Sequence, residues 1–258
     1  MAVSAQVQRK HRRLADIVYD ASGETLDLYP AGAKAPLFLW IHGGYWRASS
    51  KDDNAFVVAG LIARGFAVAV MNYTLAPEVT LDEIVRQTRA AVAFLHRRRT
   101  DFGLAERGFT VGGSSAGGHL VGMLLAGGWH ADFGVPDDAI TVALALSGLH
   151  DIAPLRHTHV NAWLGLDDAS IARNSPILHI PARSTALLLT SVGGRETSEF
   201  RRQTVDYTAR WIDAGHRGEL IPMPDYNHFD IALSLSEPNG VLTSAVAAAA
   251  AASLSHNQ

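Results

Sequence analysis

Residues 109–123 read FTVGGSSAGGHLVGM, a β-type segment that passes through a run of small residues into an apolar helical segment. The aromatic and β-branched start is typical of a strand and the apolar end of a helix, so the segment Gly113-Ser114-Ser115-Ala116-Gly117 lies at the turn between them. A serine in so tight a turn presents its hydroxyl outward, and the flanking glycines leave room for the strained backbone. The sequence therefore predicts Ser115 as a nucleophile, with Ser114 as the small residue that the turn requires.

Short β-type runs alternate with longer amphipathic segments along the chain, which is typical of a mostly parallel sheet covered by helices on both faces. Eight strands are predicted, at residues 15–18, 26–29, 36–41, 66–72, 108–112, 139–147, 186–191 and 218–221. Helices are predicted at residues 81–98, at residues 196–214 and around the alanine-rich residues 245–252. Without an internal repeat or a long linker, residues 1–258 are expected to form a single α/β domain.

The composition excludes several classes of protein. Twenty-two Lys and Arg against 25 Asp and Glu leave a net charge of −3, so no basic field is present to bind nucleic acid or an anionic membrane. There is no cysteine, which removes disulfides, thiolate metal sites and a cysteine nucleophile. No apolar run follows the basic residues near the N-terminus, and the longest apolar segment, residues 139–149, is shorter than the roughly 20 residues that span a bilayer. We therefore expect a soluble, cytoplasmic protein without a nucleic-acid or membrane partner, and whether it forms a homodimer stays open.

A second motif, His42-Gly43-Gly44-Tyr45-Trp46, directly follows the strongly apolar strand predicted at residues 36–41. Acyl transfer places negative charge on the former carbonyl oxygen, and amide N–H groups fixed around that position stabilise it. Paired glycines let the backbone approach closely. We predict that the amides of Gly43 and Gly44 form this oxyanion site together with the amide of Ala116, which lies at a helix N-terminus.

A serine nucleophile needs a base, and the base needs a carboxylate that orients it. In a sheet with this strand-to-helix serine turn, the acid and then the histidine follow the serine in chain order. Glu196 follows the seventh predicted strand and His228 follows the eighth, so these two residues are predicted to complete the site. Asp206 and Asp225 are the alternatives for the acid, but Asp206 falls on the following helix and Asp225 is only three residues from His228.

Several aromatic and imidazole side chains fall on loops at or near the carboxyl ends of strands, where ligands collect in open α/β sheets. A substrate pocket is predicted from Tyr45, Trp46, Tyr73, His150 and Trp163. The alternative is ordinary loop packing. His119, one turn into the helix after Ser115, is expected to be a packed or hydrogen-bonded structural histidine. Residues 150–159 carry His150, Asp151, His157 and His159, but the spacing lacks a clear third ligand, so neither a metal nor another cofactor is predicted.

Over nearly its whole length the chain resembles the α/β-hydrolase superfamily and, within it, the arylformamidase (kynurenine formamidase) branch and its carboxylesterase relatives. The resemblance rests on the two motifs above and on Asn72-Tyr73-Thr74-Leu75-Ala76-Pro77, Ser147-Gly148-Leu149-His150-Asp151 and Ser198-Glu199-Phe200-Arg201-Arg202-Gln203. Related lipase-type esterases usually carry a third glycine where this chain has Tyr45, as the formamidases do. The resemblance implies an α/β-hydrolase fold without a large separate cap domain.

The same resemblance implies a triad of Ser115, the acid just ahead of Ser198, and His228. That acid is commonly Asp in the formamidases, whereas Glu196 is one methylene longer, and many relatives have His where this chain has Ser114. The expected substrate is a small ester or amide, aromatic in its leaving group. A formamidase and a promiscuous aryl or short-chain carboxylesterase would use the same groups, and a non-catalytic binding module is the alternative from another class.

Overall fold

The computed structural model describes residues 2–255 and contains one eight-stranded sheet. Its strands are β1 (Leu14–Val18), β2 (Thr25–Tyr29), β3 (Ala35–Ile41), β4 (Ala67–Met71), β5 (Leu104–Ser114), β6 (Ile140–Leu146), β7 (Leu187–Gly193) and β8 (Gly218–Met223). They lie side by side in the order β1-β2-β4-β3-β5-β6-β7-β8. β2 pairs in antiparallel fashion with β1 and with β4, and the remaining neighbours are parallel. The predicted sheet of eight mostly parallel strands is therefore confirmed.

Eleven α-helices and three short 3-10 helices lie within residues 2–255. The α-helices are α1 (Ala2–Lys10), α2 (Lys51–Asn54), α3 (Val57–Ala63), α4 (Leu81–Arg97), α5 (Ala116–Leu125), α6 (His130–Phe133), α7 (Asn161–Leu164), α8 (Asp168–Asn174), α9 (Ser198–Asp213), α10 (Asp230–Leu233) and α11 (Val241–Ser255). The 3-10 helices are Ala153–His157, Pro176–Leu178 and Ser234–Ser236. None of the helices in this part of the chain combines the length and the apolar composition that crossing a bilayer requires.

Helices cover both faces of the sheet. α4, α5 and α9 bury apolar side chains against one face, and α3 and α11 bury theirs against the other. All five residues of β4 are buried, as expected for a strand whose apolar residues run continuously rather than alternate. The longest connection, residues 147–186, holds only α7, α8 and two 3-10 helices, so the described chain has no large separate cap.

Helix α9 differs from its prediction in two ways that affect the site. It begins at Ser198 rather than at residue 196, because Glu196 belongs to a turn closed by its backbone N–H on the carbonyl of Gly193 (3.1 Å). Its buried stripe includes Tyr207 and Trp211, whereas Val205 and Ile212, which belong to the same apolar pattern in the sequence, are each 47% exposed. Residue 205 lies about 200° around the helix from residue 207, which places it on the outer side.

A buried ion network joins the start of the sheet to α2. The Asp27 carboxylate, 1% exposed, lies 2.9 Å from Arg13 Nη1 and 2.9 Å from the ammonium of Lys51, which is itself 5% exposed. Lys51 also contacts Asp16 at 2.9 Å, and the Asp16 N–H donates to the Asp27 carboxylate. Burial opposes the charge on Lys51, but these carboxylates hold its pKa above the ordinary value.

Replacing Asp27 by alanine is expected to lower the free energy of unfolding by about 3 kcal/mol, because it leaves the buried ammonium of Lys51 without its enclosed partner. The measurement is urea unfolding followed by circular dichroism. Asp52→Ala is the matched control, since Asp52 is 60% exposed and lies 3.8 Å from Lys51; its loss should cost less than about 1 kcal/mol. Equal losses in both variants would contradict the importance of the buried contact.

Candidate active site

Ser115 lies in the turn between β5 and α5 with φ of 59° and ψ of −118°, a strained conformation for a residue with a side chain. Its backbone N–H donates to the carbonyl of Leu146 at the end of β6 (2.8 Å), which fixes the turn to the neighbouring strand. A Cβ atom at position 117 would overlap the carbonyl oxygen of Ile41, and one at position 113 would overlap the carbonyl of Gly117. Glycine is therefore required on both sides of Ser115, as the motif predicts.

The loop after β3 lies directly against this turn. A Cβ atom at position 43 would be 3.1 Å from the Cβ of Ser115, so the glycine brings the backbone as close as the serine allows. The N–H groups of Gly43 and Gly44 donate to no acceptor within residues 2–255. Ala116 is the first residue of α5, where a helix leaves its N–H groups without intrahelical partners. The structure thus brings Gly43 beside the turn that contains Ser115 and Ala116.

The side chains of His42 and Tyr73 fix this loop through hydrogen bonds to its carbonyl groups. The Nδ1–H of His42 donates to the carbonyl of Gly43 (2.8 Å), and the Tyr73 hydroxyl donates to the carbonyl of His42 (3.1 Å). The two rings stack with their centroids 4.3 Å apart. Complete burial lowers the pKa of His42 to about 4, so this imidazole is neutral at pH 7 and serves as a fixed support.

Replacing Gly44 by alanine is expected to reduce kcat/KM by about 100-fold, because the variant would displace the amides that the sequence predicts to stabilise a developing negative charge. Gly44 has a φ of +103°, and a Cβ atom there would overlap the carbonyl oxygen of Ala48. Gly65 is the matched control, since its φ is +86° but its Cβ position has nothing within 4 Å. Gly65→Ala should lose stability through its positive φ and keep its activity. Steady-state kinetics with p-nitrophenyl acetate would measure both variants, and equal losses of activity would refute the role of the glycine loop.

Glu196 and His228 come together from the loops after β7 and β8. The Nδ1 atom of His228 lies 2.6 Å from Glu196 Oε2. The other carboxylate oxygen, Oε1, accepts from the backbone N–H of Gly193 (2.7 Å) and from the hydroxyl of Ser147 (2.6 Å). Burial opposes ionisation of Glu196, but these three hydrogen bonds hold its pKa below the ordinary value.

The imidazole of His228 is open on one side. Its side chain is 23% exposed, whereas that of Glu196 is fully enclosed. The ring of Phe200 lies against the imidazole with centroids 4.3 Å apart. Because Nδ1 faces the carboxylate, Nε2 is the ring nitrogen left to exchange a proton with another group.

The two alternative acids lie elsewhere. Asp206 accepts a hydrogen bond from Arg202 on the same helix (2.8 Å). Asp225 is 85% exposed and its nearest cation is Arg195 at 3.9 Å. Of the three carboxylates considered from the sequence, the structure places Glu196 against His228.

The predicted substrate-binding side chains divide into two groups. Trp46 and His150 have no exposed surface and Tyr73 has 2%, so the prediction that these three contact a ligand is corrected. They pack against other side chains in the interior instead. Trp46 packs against His119, and His150 stacks on Tyr207 with ring centroids 3.9 Å apart. Burial lowers the pKa of His150 to about 3, consistent with a neutral ring inside the fold.

Tyr45 and Trp163 remain half-exposed beside the glycine loop. The indole N–H of Trp163 donates to the carbonyl of Tyr45 (3.1 Å), which ties α7 to that loop. The guanidinium of Arg47 lies over the Trp163 ring, 4.6 Å from its centroid. These two aromatic rings are the predicted ligand-binding side chains that keep surface available to a ligand.

The histidines after β6 do not assemble with further ligands. His157 and His159 are exposed, whereas His150 is enclosed. Within residues 2–255 no three side chains of His, Asp or Glu are grouped so that they could hold a metal ion. His119 also lies inside, where its Nε2–H donates to the carbonyl of Asn174 (2.7 Å), in agreement with a packing role.

Sequence reasoning missed three contacts of the acid and base: the Ser147 hydroxyl, the Gly193 amide and the Phe200 ring. Ser147 was recognisable only as a polar residue at the carboxyl end of β6. Its partner lies 49 residues away, and no local pattern reports such a pairing. The amide of Gly193 reaches Glu196 through a turn whose geometry becomes visible only once α9 is seen to start at Ser198.

The strands β5, β6, β7 and β8 are parallel neighbours, so their carboxyl ends meet at one edge of the sheet. That edge carries a strained serine, an imidazole paired with a buried carboxylate, and free amide groups. A hydroxyl, a base with its orienting acid, and donors for an oxyanion are the groups that acyl transfer to serine requires.

Comparison with known proteins places the chain among formamidases and esterases. A family model described as BD-FAE matches residues 26–190. The kynurenine formamidase of Danio rerio is 31% identical over 238 residues, which cover 89% of this chain and 79% of that protein. A solved structure of a candidate thioesterase from Silicibacter sp. TM1040 superposes with a TM-score of 0.82 at 26% identity, covering 95% of this chain and 91% of the other. The esterase of Pyrobaculum calidifontis shares the fold, with a TM-score of 0.78 at 16% identity, covering 99% of this chain and 90% of its own.

Proposed function

This chain belongs to the BD-FAE family and to the kynurenine formamidase branch of the α/β-hydrolase superfamily, and on that premise we propose that it is a serine hydrolase that cleaves an aryl formamide through a formyl-enzyme. The observation that carries the proposal is the contact of His228 Nδ1 with the buried carboxylate of Glu196 (2.6 Å). It stands at the sheet edge where Ser115 occupies its strained turn. A carboxylate that engages one imidazole nitrogen prepares the other to accept a proton from an alcohol.

In the first half of the reaction, Ser115 Oγ attacks the carbonyl carbon while His228 Nε2 removes the hydroxyl proton. The carboxylate of Glu196 keeps the proton on Nδ1 and stabilises the imidazolium that forms. Amides of Gly43, Gly44 and Ala116 donate to the oxyanion. The intermediate then collapses, the carbon–nitrogen bond breaks, and the imidazolium gives its proton to the leaving amine.

In the second half, water attacks the acyl-enzyme and His228 again removes a proton. Collapse breaks the bond between the acyl carbon and Ser115 Oγ, the imidazolium returns its proton to that oxygen, and the carboxylic acid leaves. A formyl group needs little room beside the glycine loop. The leaving aryl amine would rest on the half-exposed rings of Tyr45 and Trp163.

The second candidate is an aryl or short-chain carboxylesterase. The same hydroxyl, imidazole and amides would cleave an ester, and the esterase of Pyrobaculum calidifontis has this fold. A non-catalytic binding module is disfavoured, because the serine, the acid and the histidine are all present and the latter two are in contact.

The experiment that separates these functions compares kcat/KM for N-formyl-kynurenine, phenyl acetate and p-nitrophenyl acetate. The formamidase proposal predicts a preference for the formamide of about 10-fold or more over phenyl acetate, since a site matched to one substrate gains that much from its polar contacts. An equal or greater value for the esters would favour the carboxylesterase. If the wild-type protein cleaved all three substrates no faster than Ser115→Ala does, the result would favour the non-catalytic binding module.

A further inference from the structure

Ser147 is the first residue after β6 and is fully buried. Its φ of +48° lies in the left-handed region, which costs a residue with a side chain conformational energy that glycine would avoid. The residue that follows is Gly148, so a glycine stands next to the strained position and not at it. A backbone outlier of this kind points to a side chain that is needed where the conformation places it.

Two consecutive residues at the end of β6 hold opposite parts of the site. The carbonyl of Leu146 accepts the backbone N–H of Ser115 (2.8 Å). The N–H of Ser147 donates to the carbonyl of Ser191 in β7 (2.8 Å), and its hydroxyl donates to Glu196 Oε1 (2.6 Å). The end of β6 thus holds both the turn that contains Ser115 and the carboxylate of Glu196.

The hydroxyl restricts the one torsion of Glu196 that matters for His228. The carboxylate plane of a glutamate turns about a bond between tetrahedral and planar carbon, for which the energy minima are broad. Ser147 and the Gly193 amide both donate to Oε1, and two donors on one oxygen fix the plane so that Oε2 faces His228. Without the hydroxyl, the Gly193 amide alone holds Oε1.

On the basis of the proposed hydrolase function, we propose that Ser147 is a positioning residue, whose buried hydroxyl holds the Glu196 carboxylate in the orientation that engages His228 Nδ1 and so prepares Nε2 to accept a proton from Ser115. It acts through Glu196 and touches no substrate. Ser147 enters the left-handed region because the side chain must leave the end of β6 toward the loop after β7, where Glu196 lies.

The test replaces Ser147 by alanine, with Ser191→Ala as the matched control. Ser191 is also fully buried, lies on the adjacent strand, and donates its hydroxyl to the carbonyl of Ile221 (2.7 Å), away from Glu196. For Ser147→Ala we expect kcat for p-nitrophenyl acetate to fall by about 10- to 100-fold with KM unchanged, since a misaligned catalytic group costs that much in rate. Ser191→Ala should lose comparable stability and keep kcat within about 2-fold, as expected of a residue outside the reacting groups.

Two further readouts separate positioning from a structural role. The Ser147 hydroxyl is one of the donors that hold the pKa of Glu196 below its ordinary value, so its removal should raise that pKa, and the acidic limb of the kcat/KM profile should move to higher pH. The far-downfield proton resonance of His228 Nδ1–H, assigned by its loss in His228→Ala, should shift or broaden in Ser147→Ala and stay in place in Ser191→Ala.

The NMR measurement does not depend on turnover, so it tests Ser147 even if the chosen substrates are not cleaved. Unchanged kcat, pH profile and Nδ1–H resonance in a folded Ser147→Ala would overturn the positioning role while leaving the proposed function intact. Equal effects of Ser147→Ala and Ser191→Ala on all three would also overturn it. A failure of the proposed function is recognised separately, by wild-type rates no greater than those of Ser115→Ala.

Discussion

Replacing Ser115 by alanine is expected to lower kcat for p-nitrophenyl acetate by about 10⁴-fold or more, because the variant has no oxygen that can attack the carbonyl. Ser115 supplies the only proposed covalent link to substrate, and it lies in the strained turn between β5 and α5. Amides that stabilise the oxyanion stay in place, so the residual rate should still exceed the reaction in water. Stopped-flow and steady-state measurements would record both the loss of turnover and the loss of an acyl-enzyme burst.

Ser114 provides the matched control. It is the last residue of β5, directly before the turn, and is 8% exposed. Ser114→Ala removes a hydroxyl one residue away and should keep kcat within about 3-fold, as is usual for a small change outside the reacting groups. If Ser115→Ala turned over substrate as fast as wild type, or if Ser114→Ala lost as much, the nucleophile would be wrongly assigned.

Replacing Glu196 by glutamine is the second large effect, with an expected loss of about 10³- to 10⁴-fold in kcat. The reason is the donor pattern around the carboxylate. Ser147 and Gly193 both donate to one side-chain oxygen, so the amide oxygen of glutamine is held there and its NH₂ group faces His228. His228 Nδ1 must then accept a hydrogen bond, which moves the ring proton to Nε2 and leaves no acceptor for the serine proton.

Glu196→Asp is the companion variant. It keeps the negative charge but withdraws the carboxylate by one methylene, so the expected loss is smaller, about 10- to 100-fold, and arises from poorer alignment. A glutamine variant less impaired than the aspartate variant would show that geometry, not the tautomer of His228, limits the reaction. Proton NMR of the imidazole would check the tautomer directly.

The stability of the glutamine variant offers an independent check on the carboxylate. Because hydrogen bonds hold the pKa of Glu196 below its ordinary value, ionisation is favoured in the folded state. This contribution is present above the unfolded-state pKa and is lost as the pH falls through the lowered folded-state value. Urea unfolding of Glu196→Gln should therefore depend less on pH in the acidic range than that of wild type; an identical dependence would contradict the hydrogen-bonded carboxylate.

The strands show how far local patterns predict the fold. A run such as Ala67-Val68-Ala69-Val70 excludes a solvent-facing side, and the structure buries every residue of β4. The turn at Ser115 was equally predictable from its strand and helix flanks and its small residues, although the carbonyl that excludes a Cβ atom at position 117 is that of Ile41 on β3. By contrast, Val205 fits the helical period yet is exposed on the outer side of α9. Periodicity alone does not decide which apolar side chains are buried, and here the larger rings of Tyr207 and Trp211 define the buried face.

The candidate site, like the fold, was only partly predictable from the sequence. Chain order was sufficient to pair Glu196 with His228, whose contact the structure shows, but not to show how the carboxylate is held. The aromatic pocket was only partly predictable, because Trp46 and Tyr45 are adjacent in the same loop and only one of them keeps exposed surface. Positive φ at both residues sends the loop back on itself, and which ring is enclosed depends on whether α5 or solvent lies opposite.

By itself the sequence determined the elements that depend on neighbours along the chain: eight strands, the glycine-flanked serine turn and the paired glycines after β3. The strands follow from side-chain periodicity, and the glycines mark turns through the backbone freedom that a residue without a side chain has. Only the tertiary structure decided that a serine 49 residues before Glu196 would orient its carboxylate, and that His150 and Trp46 would be enclosed. Such contacts depend on the order of β5, β6, β7 and β8 across the sheet and on how the helices pack over it, and no short-range pattern carries that information.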